Sequence, residues 1–146
     1  TFNFFLYDGL RHCENQILAG IAEKSVKEIA YQAQWSAEWV IRLGDGTEES
    51  KEKVQKSIND LWMWTGELFE KHPVFETLGS SFIDFSTLKT QWLEKVTLVL
   101  ETATLLMPDP NSWMQTGGRL GVHTSHLGFI LAEMQSLPRT HPNASW

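Results

Sequence analysis

The sequence predicts an all-α protein, and three observations lead to that fold class. Apolar residues recur at helical spacing along most of the chain, no segment alternates apolar and polar residues as a strand does, and no internal repeat is present. The 146 residues, 42% of them hydrophobic and 21% charged, suit one compact domain over residues 1–146. We therefore expect a bundle-like arrangement of helices.

The first part of the chain predicts two helices. Residues 1–10 are apolar and have the pattern of a helix tail that is truncated at its start. From about Glu14 to Leu43, no proline interrupts a long helical pattern. Its expected inner stripe is rich in small residues, which permit a close approach of two helices. That stripe comprises Leu18, Ile21, Ala22, Ser25, Ile29, Ala33, Ser36, Ala37 and Val40.

A stop-and-restart signal follows at residues 43–47, Leu-Gly-Asp-Gly-Thr. The glycines are expected to end the long helix in the left-handed conformation, and Thr47 to cap the N-terminus of the next helix. Glu48 and Glu49 complement the helix dipole in its first turn. This helix presents one apolar seam at steps of four and three residues. The seam comprises Val54, Ile58, Leu61, Thr65 and Leu68.

The second half predicts two more helices between connecting segments. Residues 71–85 hold Pro73 and Gly79 and are expected to be a connection, and a fourth helix starts near Ser86. Residues 107–111, which hold two prolines, are expected to break that helix. Its inner face comprises Leu88, Trp92, Val96, Val99, Ala103 and Leu106. A glycine-rich loop leads to a last helix that fades at Pro138 and carries Leu127, Ile130, Leu131 and Met134.

Composition excludes several classes of function. Lys+Arg 12 against Asp+Glu 18 give a formal net charge of −6, which argues against nucleic-acid binding because phosphate contacts need a basic face. The sequence contains no run of 18 apolar residues, so it predicts no membrane span. The single Cys13 excludes an internal disulfide framework and a cysteine-rich zinc site. We therefore expect a cytoplasmic protein.

Aromatic residues are unusually frequent, with 7 Trp, 8 Phe and 2 Tyr. Large aromatic side chains dominate protein cores and interfaces, and the two roles are not distinguished by sequence. We expect a role in the core or in an interface for Trp35, Trp39, Trp62, Trp64 and Trp92.

The residues that could carry metal chemistry form no complete motif. His123 and His126 lie three positions apart on one side of a helical turn, but the nearest acid on that helix, Glu133, follows about two turns later. Capping and packing at a helix start is the favoured interpretation. Helical di-iron proteins carry Glu-x-x-His on two helices, and this sequence contains none. It comes nearest at Glu28, where Tyr31 takes the histidine position.

The loop at residues 117–121, Gly-Gly-Arg-Leu-Gly, offers backbone N–H groups to a phosphate, with Arg119 as the counter-charge. It lacks the Lys-Ser/Thr of a nucleotide-binding P-loop and does not follow a strand. A loop that only turns the chain into the last helix is therefore the favoured interpretation.

Three segments, in order and spacing, carry a family resemblance. The first is Lys-Glu-Ile-Ala-Tyr at 27–31 with Trp-Val-Ile-Arg-Leu-Gly-Asp-Gly-Thr at 39–47. The second is Ile-Asn-Asp-Leu-Trp at 58–62 with Thr-Gly-Glu-Leu-Phe at 65–69. The third and most specific is Thr-Gly-Gly-Arg-Leu-Gly-Val-His-Thr-Ser-His-Leu-Gly, which starts at Thr116 and leads to Leu-Ala-Glu-Met-Gln, ending at Gln135. Together they resemble the C-type (PaaC-type) structural subunits of bacterial phenylacetyl-CoA epoxidases, over nearly the whole chain.

The resemblance implies a ferritin-like helical bundle. In that family an A-type subunit holds the di-iron site that epoxidises the ring of phenylacetyl-CoA, and the C-type subunit pairs with it as a scaffold. For this chain the resemblance implies no cofactor of its own, a di-iron A-type partner, and vestigial ligand positions at Glu28 and Tyr31. Members of the family have further helices before the point where this chain starts, so the chain is expected to be either a C-terminal fragment or a shortened homologue. In both cases we expect an incomplete bundle. If this length is the whole molecule, we expect it to form a homo-oligomer when alone, which would cover its apolar stripes.

The leading hypothesis is a non-catalytic structural subunit of a ring-1,2-epoxidising phenylacetyl-CoA monooxygenase in aerobic phenylacetate degradation. The chain would then be part of an oxygenase complex, without an active site of its own. The residues expected to contact the partner or the CoA ester are Gly117, Gly118, Arg119, His123 and His126. One alternative is a di-iron carboxylate oxygenase or ferritin-like metal protein in its own right, and another is a helical adaptor unrelated to phenylacetate.

Overall fold

The computed structural model describes residues 1–70, 72–74 and 83–145, and the regular structure in these ranges is helical. This confirms the predicted all-α class and agrees with a ferritin-like bundle. The helices are α1 (Phe2–Leu10), α2 (Gln16–Gly44), α3 (Glu48–Trp62), α4 (Phe85–Thr102), α5 (Ser125–Met134) and α6 (Ser136–Thr140), with 3-10 turns at Gly66–Phe69 and Gly118–Leu120.

The chain divides into two compact units, Thr1–Gln115 and Thr116–Trp146. The predicted connection at residues 71–85 lies largely outside the described residues. Of the helices in the described ranges, none is both long enough and apolar enough to cross a membrane.

The long helix α2 starts at a side-chain cap and buries a narrow strip of small residues. Asn15 Oδ1 accepts hydrogen bonds from the N–H groups of Ile17 and Leu18, at 3.1 Å each. Ala22 and Val26 are buried, the first of them as predicted. Ile21 and Ser36, however, were predicted on the inner stripe and are exposed, because the packed arc is narrower than the predicted one and centres on Ala22 and Val26.

The turn between α2 and α3 confirms the predicted cap but not the predicted role of the glycines. Thr47 Oγ1 accepts the N–H of Ser50 at 3.2 Å, and two glutamates occupy the first turn of α3. Neither Gly44 nor Gly46 has a positive φ, so the left-handed helix end predicted here is wrong. Gly44 is the last residue of α2, where a Cβ would lie 2.4 Å from the carbonyl oxygen of Ala103. Its small size permits this close approach.

Helix α4 ends earlier than predicted, at Thr102 rather than at the prolines of residues 107–111. Its end is a Schellman motif, in which the N–H of Leu105 donates to the carbonyl of Leu100 at 2.9 Å and the N–H of Thr104 donates to that of Glu101 at 3.0 Å. Thr104 takes the left-handed position of this motif, with φ 58°. The chain therefore leaves the helix before any proline is reached.

The core of the first unit lies where α2, α3 and α4 converge. Its buried centre is Leu100, Ala103 and Leu105. Partly buried side chains pack against this centre: Val40, Ile41, Val54, Ile58 and Val96. Two predicted core positions are wrong: Leu61 is 63% exposed in the last turn of α3, and Leu106 is 76% exposed because it follows the end of α4.

The second unit contains α5 and α6 and buries very little. Among its described residues, 116–145, none is buried, and Leu127 is the one large apolar side chain of α5 that is partly covered. Pro138 is the third residue of α6, a first-turn position where a missing N–H breaks no intrahelical hydrogen bond. The chain therefore stays helical past the point where the last helix was predicted to fade.

Candidate functional site

The position nearest to a di-iron ligand pair lies on the exposed side of α2. Glu28 is exposed and accepts a hydrogen bond from Gln32 Nε2 at 3.3 Å, and Tyr31 is 68% exposed. Across the part of the chain that the structure describes, no three His, Cys, Asp or Glu side chains lie together as a metal site requires. Glu28 and Tyr31 therefore do not form a Glu-x-x-His ligand pair of the kind that di-iron centres use.

An apolar stripe runs along the same side of α2. We call it the α2 stripe; its members are Ile17, Ile21, Tyr31, Trp35, Trp39 and Leu43, all 39–75% exposed. The rings of Trp35 and Trp39 meet edge to face, with centroids 6.1 Å apart. The guanidinium of Arg42 lies 5.7 Å from the centroid of the Trp39 ring, a cation–π contact. Both tryptophans therefore lie at the surface, where they can serve in an interface.

Two other predicted tryptophans belong to the core. The rings of Trp62 and Trp92 are stacked, with centroids 5.6 Å apart and an interplanar angle of 27°. Phe69 packs on Trp92 at 5.2 Å, and both tryptophans are buried. Trp64, in the turn after α3, is 38% exposed. The tryptophans singled out by the sequence thus divide between core and surface.

The first unit also carries an apolar groove that the sequence did not predict. It lies between α1, α2 and α4 and has a volume of about 550 Å³. Its apolar lining includes Phe4, Phe5, Ala33, Ala37, Leu98 and Val99. The small residues predicted on α2 were the available signal, since they leave open space wherever neighbouring helices do not close over them. Glu38 and Lys95 also line the groove, so it offers a mainly apolar surface with one charge of each sign.

The glycine-rich loop of the second unit closes on itself. Gly117 and Gly121 have φ values of 89° and 90°, a region that favours glycine. The N–H groups of Leu120 and Val122 both donate to the carbonyl of Gly117, at 2.9 and 3.0 Å, and that of Gly121 donates to Gly118 at 3.3 Å. These three N–H groups are therefore engaged within the loop. This is the geometry of a chain-turning loop, and its role in binding stays a prediction.

The two histidines and the arginine of this region are exposed. Arg119, His123 and His126 all have exposed side chains. The N-cap of α5 is Thr124, whose side chain makes no capping hydrogen bond. The packing expected of the histidines at the helix start is not observed, because both are exposed. Gly117 and Gly118 belong to a turn that is followed by an accessible segment, which carries these three side chains.

Large apolar side chains of the second unit are exposed as well. Phe129 and Met134, at 74% and 71%, are the most exposed of those on α5. We call the whole set the second-unit apolar residues: Leu120, Val122, Phe129, Ile130, Leu131, Met134 and Leu137. Because exposed apolar side chains at this density are typical of binding surfaces, this unit is the strongest candidate for a protein contact.

Comparisons with known proteins give these features a family context. The sequence profile of a family described as "Phenylacetic acid catabolic protein" matches residues 1–146. A curated relative, the C component of the 1,2-phenylacetyl-CoA epoxidase from Escherichia coli (strain K12), is 39% identical over 143 residues. The alignment covers 97% of this chain and 57% of the relative, so the chain spans a little over half of the relative's length.

Proposed function

Because the chain belongs to the family of phenylacetic acid catabolic proteins, as its three segments predicted, we propose that it is a non-catalytic structural subunit of a phenylacetyl-CoA monooxygenase. In this proposal an A-type partner holds the di-iron centre and epoxidises the ring of the substrate at the 1,2 position. The chain holds no cofactor, contributes surface to the complex and acts in the cytoplasm.

The observation that carries the non-catalytic role is the pair Glu28 and Tyr31. A di-iron centre needs glutamates and histidines whose side chains converge in the interior of a bundle. At the nearest match, the second position holds a phenol, Tyr31 is 68% exposed, and Glu28 accepts a hydrogen bond from its helical neighbour Gln32. Both side chains therefore belong to an exposed helix surface and not to an interior where iron ligands could converge.

The second-unit apolar residues support the assignment to a complex. Phe129 and Met134 are each more than 70% exposed on α5. Burying a large apolar side chain against a partner stabilises a complex by roughly 1.5–3 kcal/mol per residue. We place the contact with the A-type partner here and on the adjoining loop.

Co-expression with an A-type partner tests the assignment directly. We expect the chain to co-purify with that partner, and metal analysis to find about two irons per A-type partner and none in the chain purified alone. About two irons per chain would instead make it a di-iron protein in its own right. Failure to co-purify would leave a helical adaptor unrelated to phenylacetate.

Substitutions on α5 locate the contact. Phe129→Asp and Met134→Asp should each weaken co-purification, because a carboxylate cannot be buried unpaired in an apolar interface. Leu61→Asp is the matched control, since Leu61 is 63% exposed on α3 in the first unit. Equal loss of binding in all three variants would contradict this placement.

Arg119 is the proposed contact to the partner or to the phosphates of the CoA ester, because a guanidinium suits phosphate geometry. Arg119→Glu should reduce assembly or raise the KM for the CoA ester. Arg139→Glu changes the same charge at an exposed position of α6 and serves as the control. Unchanged assembly and turnover in Arg119→Glu would remove the loop from the proposal.

A further inference from the structure

We draw no further inference here: the strongest candidate, the mainly apolar groove between α1, α2 and α4, carries none because nothing in the structure shows what covers it in a chain that spans 57% of its relative's length.

Discussion

Replacing Gly44, at the end of α2, by alanine should change the stability in the direction opposite to the usual one. Alanine normally stabilises a helix relative to glycine, by about 1 kcal/mol in the helix interior. Here a Cβ would lie 2.4 Å from the carbonyl oxygen of Ala103, 2.9 Å from the Ala103 Cβ and 3.0 Å from Leu105 Cγ. The nearest atom belongs to the backbone, so Gly44→Ala must push α2 away from the end of α4.

The expected size of the effect follows from two opposing contributions. Overpacking a filled site typically costs about 1–3 kcal/mol, and the helix propensity gained at a terminal position is less than about 1 kcal/mol. We expect Gly44→Ala to lower the free energy of unfolding by about 1–2 kcal/mol. For a chain of this length that corresponds to a fall in Tm of about 3–8 °C.

Gly20→Ala is the matched control for this experiment. It makes the same change in the same helix, but a Cβ at Gly20 has no atom within 4 Å. We expect it to raise the free energy of unfolding by about 1 kcal/mol. Both variants are compared with wild type by urea and thermal unfolding, at one protein concentration because association contributes to stability. If Gly44→Ala were as stable as Gly20→Ala, the close packing of α2 on the end of α4 would be refuted.

Three further predictions concern α4. Trp92→Ala removes a buried ring that contacts two other aromatic rings and should cost about 3–5 kcal/mol in urea unfolding; a loss below about 1 kcal/mol would contradict its burial. Thr104→Val keeps the side-chain shape but loses the hydroxyl that donates to the carbonyl of Gly44 at 3.3 Å. It should therefore lower the free energy of unfolding by about 0.5–1.5 kcal/mol. Unchanged stability would show that this hydrogen bond contributes nothing. Hydrogen bonds from Ser86 and its neighbour lower the pKa of Asp84 to about 2, from about 3.8. The stability that Asp84 contributes is thus present above about pH 4 and lost as the pH falls through about 2. Asp84→Asn should therefore show a flatter dependence of Tm on pH than the wild type between about pH 4 and about pH 2. Parallel curves of Tm against pH for the two proteins would exclude this role.

Features of the fold that depend on neighbouring residues could be predicted from the sequence. The all-α class, the start of α4 near residue 86 and the cap at Thr47 all rest on contacts within one helix turn. Thr47 caps α3 through the N–H of Ser50, three residues away, and a sequence pattern contains that information completely.

Features that depend on packing could not be predicted. Thr104 is β-branched and an unfavourable residue for a left-handed helix end, yet it takes that position because Leu100 and Leu105 are buried on either side of it. The glycines at residues 43–47 correctly predicted a turn. A larger residue does not fit at Gly44, however, because the backbone of Ala103, nearly sixty residues away, packs against it.

The candidate site shows the same limit. Helix α2 has apolar residues on two sides, and periodicity alone does not say which side the neighbouring helices cover. Trp35 and Trp92 both lie in helices with apolar spacing, but α4 turns Trp92 onto Trp62 while Trp35 lies on the side of α2 that is exposed. The missing Glu-x-x-His was readable from the sequence, because it is a question of residue identity.

The lack of buried residues between 116 and 145 has a consequence for the timescale of hydrogen exchange. A segment that covers few apolar side chains gives up few contacts when it opens, so the free energy of local opening is small. We expect the amides of α5 to exchange with solvent much faster than those of α4, which carries Leu88, Trp92 and Leu100 in the core. Any partner that covers α5 would slow this exchange. Because binding would also have to order the segment, the free-energy cost of that ordering would weaken the affinity for the partner.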